Sequence, residues 1–207
     1  MALKDYSELN PIQLDVLREI GNIGTGNAAT SLASMLAKPV NIQVPKISIL
    51  DFDTVTANLG GPENMIVGLL FALQGDVTGM MMFLLQKDFS HMVLNTLLGQ
   101  SLHSFHEIDE MGISALQEIG NIMAAAYVNA IAQLTGMVID ISVPDICIDM
   151  CGAMLSVPAI HFANIGDKII FIEDQFESDE LSAVSQILLI PEVDALNQIM
   201  LRLGIEI

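Results

Sequence analysis

The chain spells EIGNI twice, at residues 19–23 and again at 118–122, 99 residues later. The match extends outward: Asp15 falls on Ser114, Gly21 on Gly120 and Pro45 on Pro144, each proline 23 residues after its asparagine. Near the ends of the two halves the offset becomes 105, with MMFLLQKDFSHMVLNTLLG aligned to QILLIPEVDALNQIMLRLG and Gly99 falling on Gly204. The six added residues are expected around 176–179. A period this long exceeds that of solenoid repeats and marks a duplicated half-domain. The 207 residues are therefore read as a single domain of two pseudo-symmetric halves, about 1–100 and 101–207.

Each half gives the same coarse order. A long helix is expected over 11–37 and again over 108–136, started by Asn10 as cap and Pro11 in the first turn, and ended by Pro39 and Gly136. Three apolar, β-branched runs follow in the first half: VNIQVPKISILDF, MIVGLLFALQ and VTGMMMFLLQ. The second half offers VIDISVPDICI, AMLSVPAIHFA, DKIIFIEDQF and LSAVSQILLI, one strand-like run more. Shorter helices, 88–98 and 192–203, close the halves. Short turns such as LGGPEN favour antiparallel pairing. The fold class expected is α+β: two α-β-β-β-α units with pseudo-twofold symmetry, a mostly antiparallel sheet, and long helices carrying the functional residues.

At about 100° per residue, Leu17, Gly21, Gly24, Ala28, Leu32 and Met35 share one side of the first helix. Asp15, Glu19, Asn22 and Gly26 share the other. The second helix repeats this, with Ser114, Glu118, Asn121 and Ala125 facing away from Leu116, Gly120 and Met123. On one helix, such a stripe reads simply as a solvated face. Its recurrence in diverged surroundings, bordered by Ile12, Ile23, Met111 and Ile122, reads instead as two docking faces bearing Glu and Asn.

Composition narrows the partners. Net charge is −18, with 7 Lys and Arg against 25 Asp and Glu. This leaves no basic patch for nucleic acid or anionic membranes. Hydrophobic residues make up 52% of the chain and mean hydropathy is +0.57. Even so, the strongest apolar run, MIVGLLFAL, falls far short of the ~20 residues of a membrane helix. MALKDYSELNP lacks a signal-peptide core, so a cytoplasmic location is expected.

Cys147 and Cys151 are expected as plain buried thiols on one face of a strand. His103 and His106, near Glu107, Asp109 and Glu110, form an H-x2-H pattern that reads as a polar linker in preference to a metal site. GTGN (Gly24 to Asn27) resembles a phosphate loop only superficially, since it lies inside the helix and lacks lysine.

The pattern [D/S]-x3-E-x2-N-x22-P, present twice, resembles the signature of the CheC/FliY/CheX family of phosphatases, which act on phosphorylated CheY in chemotaxis. It comprises Asp15, Glu19, Asn22 and Pro45, then Ser114, Glu118, Asn121 and Pro144. The resemblance covers the whole chain. It implies a CheY-P phosphatase with catalytic Glu19, Asn22, Glu118 and Asn121. The asparagines would orient the attacking water, and the glutamates would fix the helix on the receiver. Asp15 and Ser114 would support each pair, and Pro45 and Pro144 would be structural. The protein would need no cofactor or metal of its own, because the CheY substrate would hold Mg²⁺. The family also implies CheD as a partner, so the alternative is a CheD-binding regulatory module with weak phosphatase activity. Two internally symmetric halves already mimic a dimer, so a monomer is expected.

Overall fold

The computed structural model of the chain describes residues 3–99, 101–163, 166–177 and 182–205. The first half runs α1 (Pro11–Leu36), β1 (Asn41–Ile42), β2 (Lys46–Asp51), α2 (Phe52–Asn58), β3 (Met65–Gly75), β4 (Gly79–Leu85) and α3 (Lys87–Leu98). The second half repeats it: α4 (Glu110–Thr135), β5 (Ile139–Ile141), β6 (Asp145–Met150), α5 (Cys151–His161), β7 (Lys168–Glu177), β8 (Ser182–Pro191) and α6 (Val193–Arg202). The α+β class, the duplication and the antiparallel pairing follow the expectation from the sequence, but each unit runs α-β-β-α-β-β-α where α-β-β-β-α was expected.

The long helices start where their caps dictate. Asn10 Oδ1 accepts from the Gln13 amide at 3.0 Å, and Gln13 Oε1 accepts from the Asn10 amide at 2.9 Å, a reciprocal capping box. Asp109 Oδ1 accepts from the Gly112 amide at 2.9 Å to start α4. At the C-termini, Ala37 and Gly136 turn left-handed, with φ of 50° and 69°; glycine takes that conformation without steric cost.

Two expectations need correction. AMLSVPAIHFA is not an extra strand but most of α5, and the first half holds its shorter counterpart α2. The first amides of α5 are satisfied by tertiary partners: Cys151 N–H donates to Asn64 O at 2.8 Å and Gly152 N–H to Pro62 O at 2.9 Å. Local periodicity cannot reveal such partners, and α5 forms although it holds a proline, Pro158, a residue that disfavours a helix interior. The extra residues of the second half were expected around 176–179. Four of them instead lengthen α5, which has 11 residues against 7 in α2. Residues 178 and 179 lie outside the described residues.

The eight strands form one antiparallel sheet, ordered β1-β7-β8-β4-β3-β5, with β2 also on β7 and β6 also on β3. The halves exchange edges: β2 pairs with the second half's β7, and β6 with the first half's β3. The pseudo-twofold therefore passes between β4 and β8.

Successive residues of β3 show the layering. A Cβ at Gly68 would run into the side chain of Met154 on α5, whereas Leu69 lies against Gly120 of α4. Neighbouring residues of a strand point to opposite faces, so α4 and α5 flank the sheet on opposite sides. On the α4 side α1 lies alongside it, where a Cβ at Gly24 would come within 2.6 Å of the Tyr127 ring. Phe89 of α3 packs on Phe176 with centroids 5.2 Å apart. The core between sheet and long helices includes an edge-to-face chain, Phe71 on Phe83 at 5.9 Å and Phe83 on Tyr127 at 6.4 Å.

Candidate active site

The buried face of α1 is set by Leu17, Ile20, Gly21, Gly24, Ala28 and Leu32, which pins Asp15, Glu19 and Asn22 outward, all exposed. On α4, burial of Leu116, Ile119, Gly120, Met123 and Ala124 leaves Ser114, Glu118 and Asn121 exposed. Each Glu/Asn pair is three residues apart, close to one helical turn, so both tips reach the same patch of solvent. Of the four bordering apolar side chains, Ile12 and Met111 are as bare as the sequence implied, at 63% and 64% exposure, whereas Ile23 and Ile122 are half-buried.

The two copies differ around this common core. In the first, Arg18 Nη1 donates to Asp15 Oδ1 at 2.5 Å, an exposed ion pair beside Glu19. The positions equivalent to Arg18 and Asp15 are Gln117 and Ser114. Ser114 Oγ donates back to Glu110 O at 2.9 Å, and Gln117 Nε2 donates to Pro144 O at 3.3 Å. The first copy thus carries a charged pair where the second is neutral.

Both prolines sit beside their helix. Pro45 Cγ lies 3.9 Å from where a Cβ would stand on Gly21, and Pro144 is buried under the Gln117 amide. Neither is inside a strand. They fall in the breaks between β1 and β2 and between β5 and β6, as expected of a residue with no amide to donate to a sheet ladder.

Beneath the first copy lies a buried cluster that the sequence did not disclose. Thr25 Oγ1 donates to Asp174 Oδ1 at 2.9 Å, Tyr127 OH donates to Asp174 Oδ2 at 2.6 Å, and the two hydroxyls stand 2.6 Å apart. Thr25 is one turn beyond Asn22, so the cluster bolts the GTGN segment to β7 and α4. Its pseudo-symmetric positions hold Ala124 and Ala28.

The histidine and cysteine patterns are placed differently. His103 N–H donates to Glu107 Oε2 at 2.8 Å, closing a 3₁₀ turn. Among the described residues no group of three or more His, Cys, Asp or Glu stands close enough to hold a metal. Cys147 is exposed on β6, whereas Cys151 opens α5 and is buried. They do not share a strand face, because the chain leaves the sheet between them. No helix among the described residues is long and apolar enough to cross a membrane.

The same architecture is found in solved structures of other proteins. It is shared with Thermotoga maritima FliY (TM-score 0.75, 22% identity, covering 95% of this chain and 98% of that one). It is shared too with the FliM middle domain from H. pylori (TM-score 0.68, 14% identity, 94% and 99%). In sequence, the chain is 31% identical over 205 residues to the CheY-P phosphatase CheC of Bacillus subtilis, covering 96% of this chain and 97% of that protein. The flagellar motor switch phosphatase FliY of the same organism is 23% identical over 142 residues, 69% of this chain and 37% of FliY. The chain belongs to the CheC-like family, whose sequence model matches residues 12–49 and 111–148, one stretch in each half.

Proposed function

We propose that the protein is a chemotaxis phosphatase that hydrolyses the phospho-aspartate of CheY at two sites. The observation that carries this reading is the outward pair Glu19/Asn22 on α1 and its copy Glu118/Asn121 on α4, in a chain similar throughout its length to a CheY-P phosphatase. Phospho-aspartate is an acyl phosphate, so the reaction needs mainly an in-line water and charge stabilisation. The carboxamides of Asn22 and Asn121 can both donate and accept without titrating, which suits them to orient that water. The water oxygen bonds to phosphorus, the acyl P–O bond breaks, and inorganic phosphate leaves with the aspartate restored. Glu19 and Glu118 pair with a cation of the receiver near the phosphoryl group and seat the helix. Mg²⁺ belongs to the receiver's acidic pocket.

The test is dephosphorylation of radiolabelled phospho-CheY by the parent, Asn22→Ala, Asn121→Ala and the double variant. Each single variant is expected to keep part of the activity and the double variant almost none. A folded double variant with full activity overturns the assignment. Family resemblance also supports CheD as a second partner, and the two symmetric halves, which already mimic a dimer, support a monomeric state; co-purification with CheD and sedimentation of the free protein test the two in turn.

A further inference from the structure

The edge strands on both sides of the sheet carry the same irregularity. Ile42 pairs with Phe176 and Lys46 with Glu173, so four steps along the edge match three along β7. Ile141 pairs with Leu73 and Asp145 with Leu70, again four steps against three. The pairing resumes after Gln43 N–H on Gln175 O and Ser142 N–H on Ala72 O. Val44 and Pro45 together therefore oppose Asp174, and Val143 and Pro144 oppose Phe71. This is a β-bulge in each half, a device that re-aims a side chain.

What each bulge re-aims is a valine. Val44 is 80% exposed and Val143 84%, the two barest large hydrophobic side chains among the described residues. Single exposed valines are common and need no cause. Here the same residue is bared by the same bulge in both halves, while its neighbours differ: Gln43 against Ser142 before it, and Lys46 against Asp145 after the proline. The proline that follows each valine sits against the helix that carries a proposed catalytic pair. Pro45 abuts Gly21, the residue before Asn22, and Pro144 O is held by Gln117, the residue before Glu118.

We propose that Val44 and Val143 are docking contacts for the phosphorylated receiver, each supplying the apolar grip beside the Glu/Asn pair of its own site. This rests on the phosphatase reading above. Glu and Asn alone offer a partner only polar contacts that water can replace, whereas a projecting valine adds desolvation on contact. With Ile12 and Met111 at the helix starts, each site becomes a polar centre between two apolar posts. The partner that fits is a receiver whose phosphoryl pocket has apolar side chains on its rim.

The experiment uses single-site proteins. In the Asn121→Ala background only the first site works, and Val44→Ser is added there; in the Asn22→Ala background, Val143→Ser. The expected result is a 3- to 10-fold rise in KM for phospho-CheY with kcat within two-fold, and a normal KM for Val44→Ile, which keeps the apolar contact. An unchanged KM in both serine variants overturns the proposal while leaving the phosphatase reading intact. If instead the Asn22→Ala, Asn121→Ala double variant keeps full turnover, the catalytic assignment has failed. Titration with beryllofluoride-activated CheY then decides for the valines: weaker binding of the Val44→Ser, Val143→Ser protein supports them, and equal binding overturns them. Both valines are exposed, so unchanged thermal melts confirm that folding is not what is measured.

Discussion

Tyr127, on α4, donates its hydroxyl to the buried carboxylate of Asp174, on β7, at 2.6 Å, and Thr25 of α1 donates to the other oxygen. Three elements meet at a carboxyl group with no basic partner among those contacts. Burial pushes the Asp174 pKa up from 3.8 to about 6, against the opposing pull of the two hydroxyl donors. Its folded pKa thus lies above its unfolded one, so the folded state holds the proton more tightly. Stability from this group is greatest below the unfolded value and declines as pH rises through about 4 to 6. Between pH 4.5 and 7.5 the loss amounts to about 2 kcal/mol. Replacing Asp174 by Asn removes the titration, so urea unfolding across that range is expected to show a shallower pH slope. An equally steep slope in the variant would place the effect elsewhere.

The same cluster predicts the cost of a single oxygen. Tyr127→Phe leaves Asp174 and Thr25 short of a partner in a dry site, a loss of about 1–3 kcal/mol. The melting temperature should fall by several degrees, and further at pH 8 than at pH 5, because the ionised carboxylate needs the donor more. A melt unchanged at both pH values would refute the cluster's role.

Two glycines on α1 should respond in opposite directions. A Cβ on Gly24 would stand 2.6 Å from the Tyr127 ring, whereas one on Gly26 would meet nothing within 4 Å. Gly24→Ala is therefore expected to destabilise by about 1–3 kcal/mol through overpacking. Gly26→Ala should stabilise by about 0.5–1 kcal/mol, the ordinary gain of removing a glycine from a helix. Urea midpoints measured side by side check both signs.

The cysteines give a chemical readout of the missed helix. Both thiols are held above their ordinary pKa, mainly by burial, with Asp149 adding to the effect at Cys147. Cys147 is nevertheless exposed on β6, while Cys151 is shut beneath the first turn of α5. Iodoacetamide at neutral pH should label Cys147 slowly and Cys151 far more slowly, as peptide mass spectrometry would show. Equal rates would contradict the placement of Cys151.

The duplication made most of the fold legible. The helix cap at Asn10, the inward glycine faces and the outward Glu/Asn pairs are local matters, and all follow from spacing along the chain. What escaped depends on contacts between distant segments. The first amides of α5 find their acceptors in the loop at Pro62 to Asn64, so its composition alone looked like a strand. Asp174 reads in sequence as one more acidic residue on a strand, and only the approach of Thr25 and Tyr127 makes it a core group. Val44 and Val143 were hidden for a similar reason. A bulge is a relation between two strands, and the strands concerned belong to opposite halves of the chain.

That exchange of edges bears on how the chain can be divided. Neither half owns a finished sheet, since each lends β2 or β6 to its neighbour and borrows the equivalent in return. The stretch between α3 and α4 therefore acts as a tether that keeps two interlocking pieces at high local concentration. Separately expressed fragments cut there should be incomplete alone and complementary when mixed. Two copies of one fragment, pairing as the halves do here, would recreate the symmetric ancestor from which such a duplication can arise.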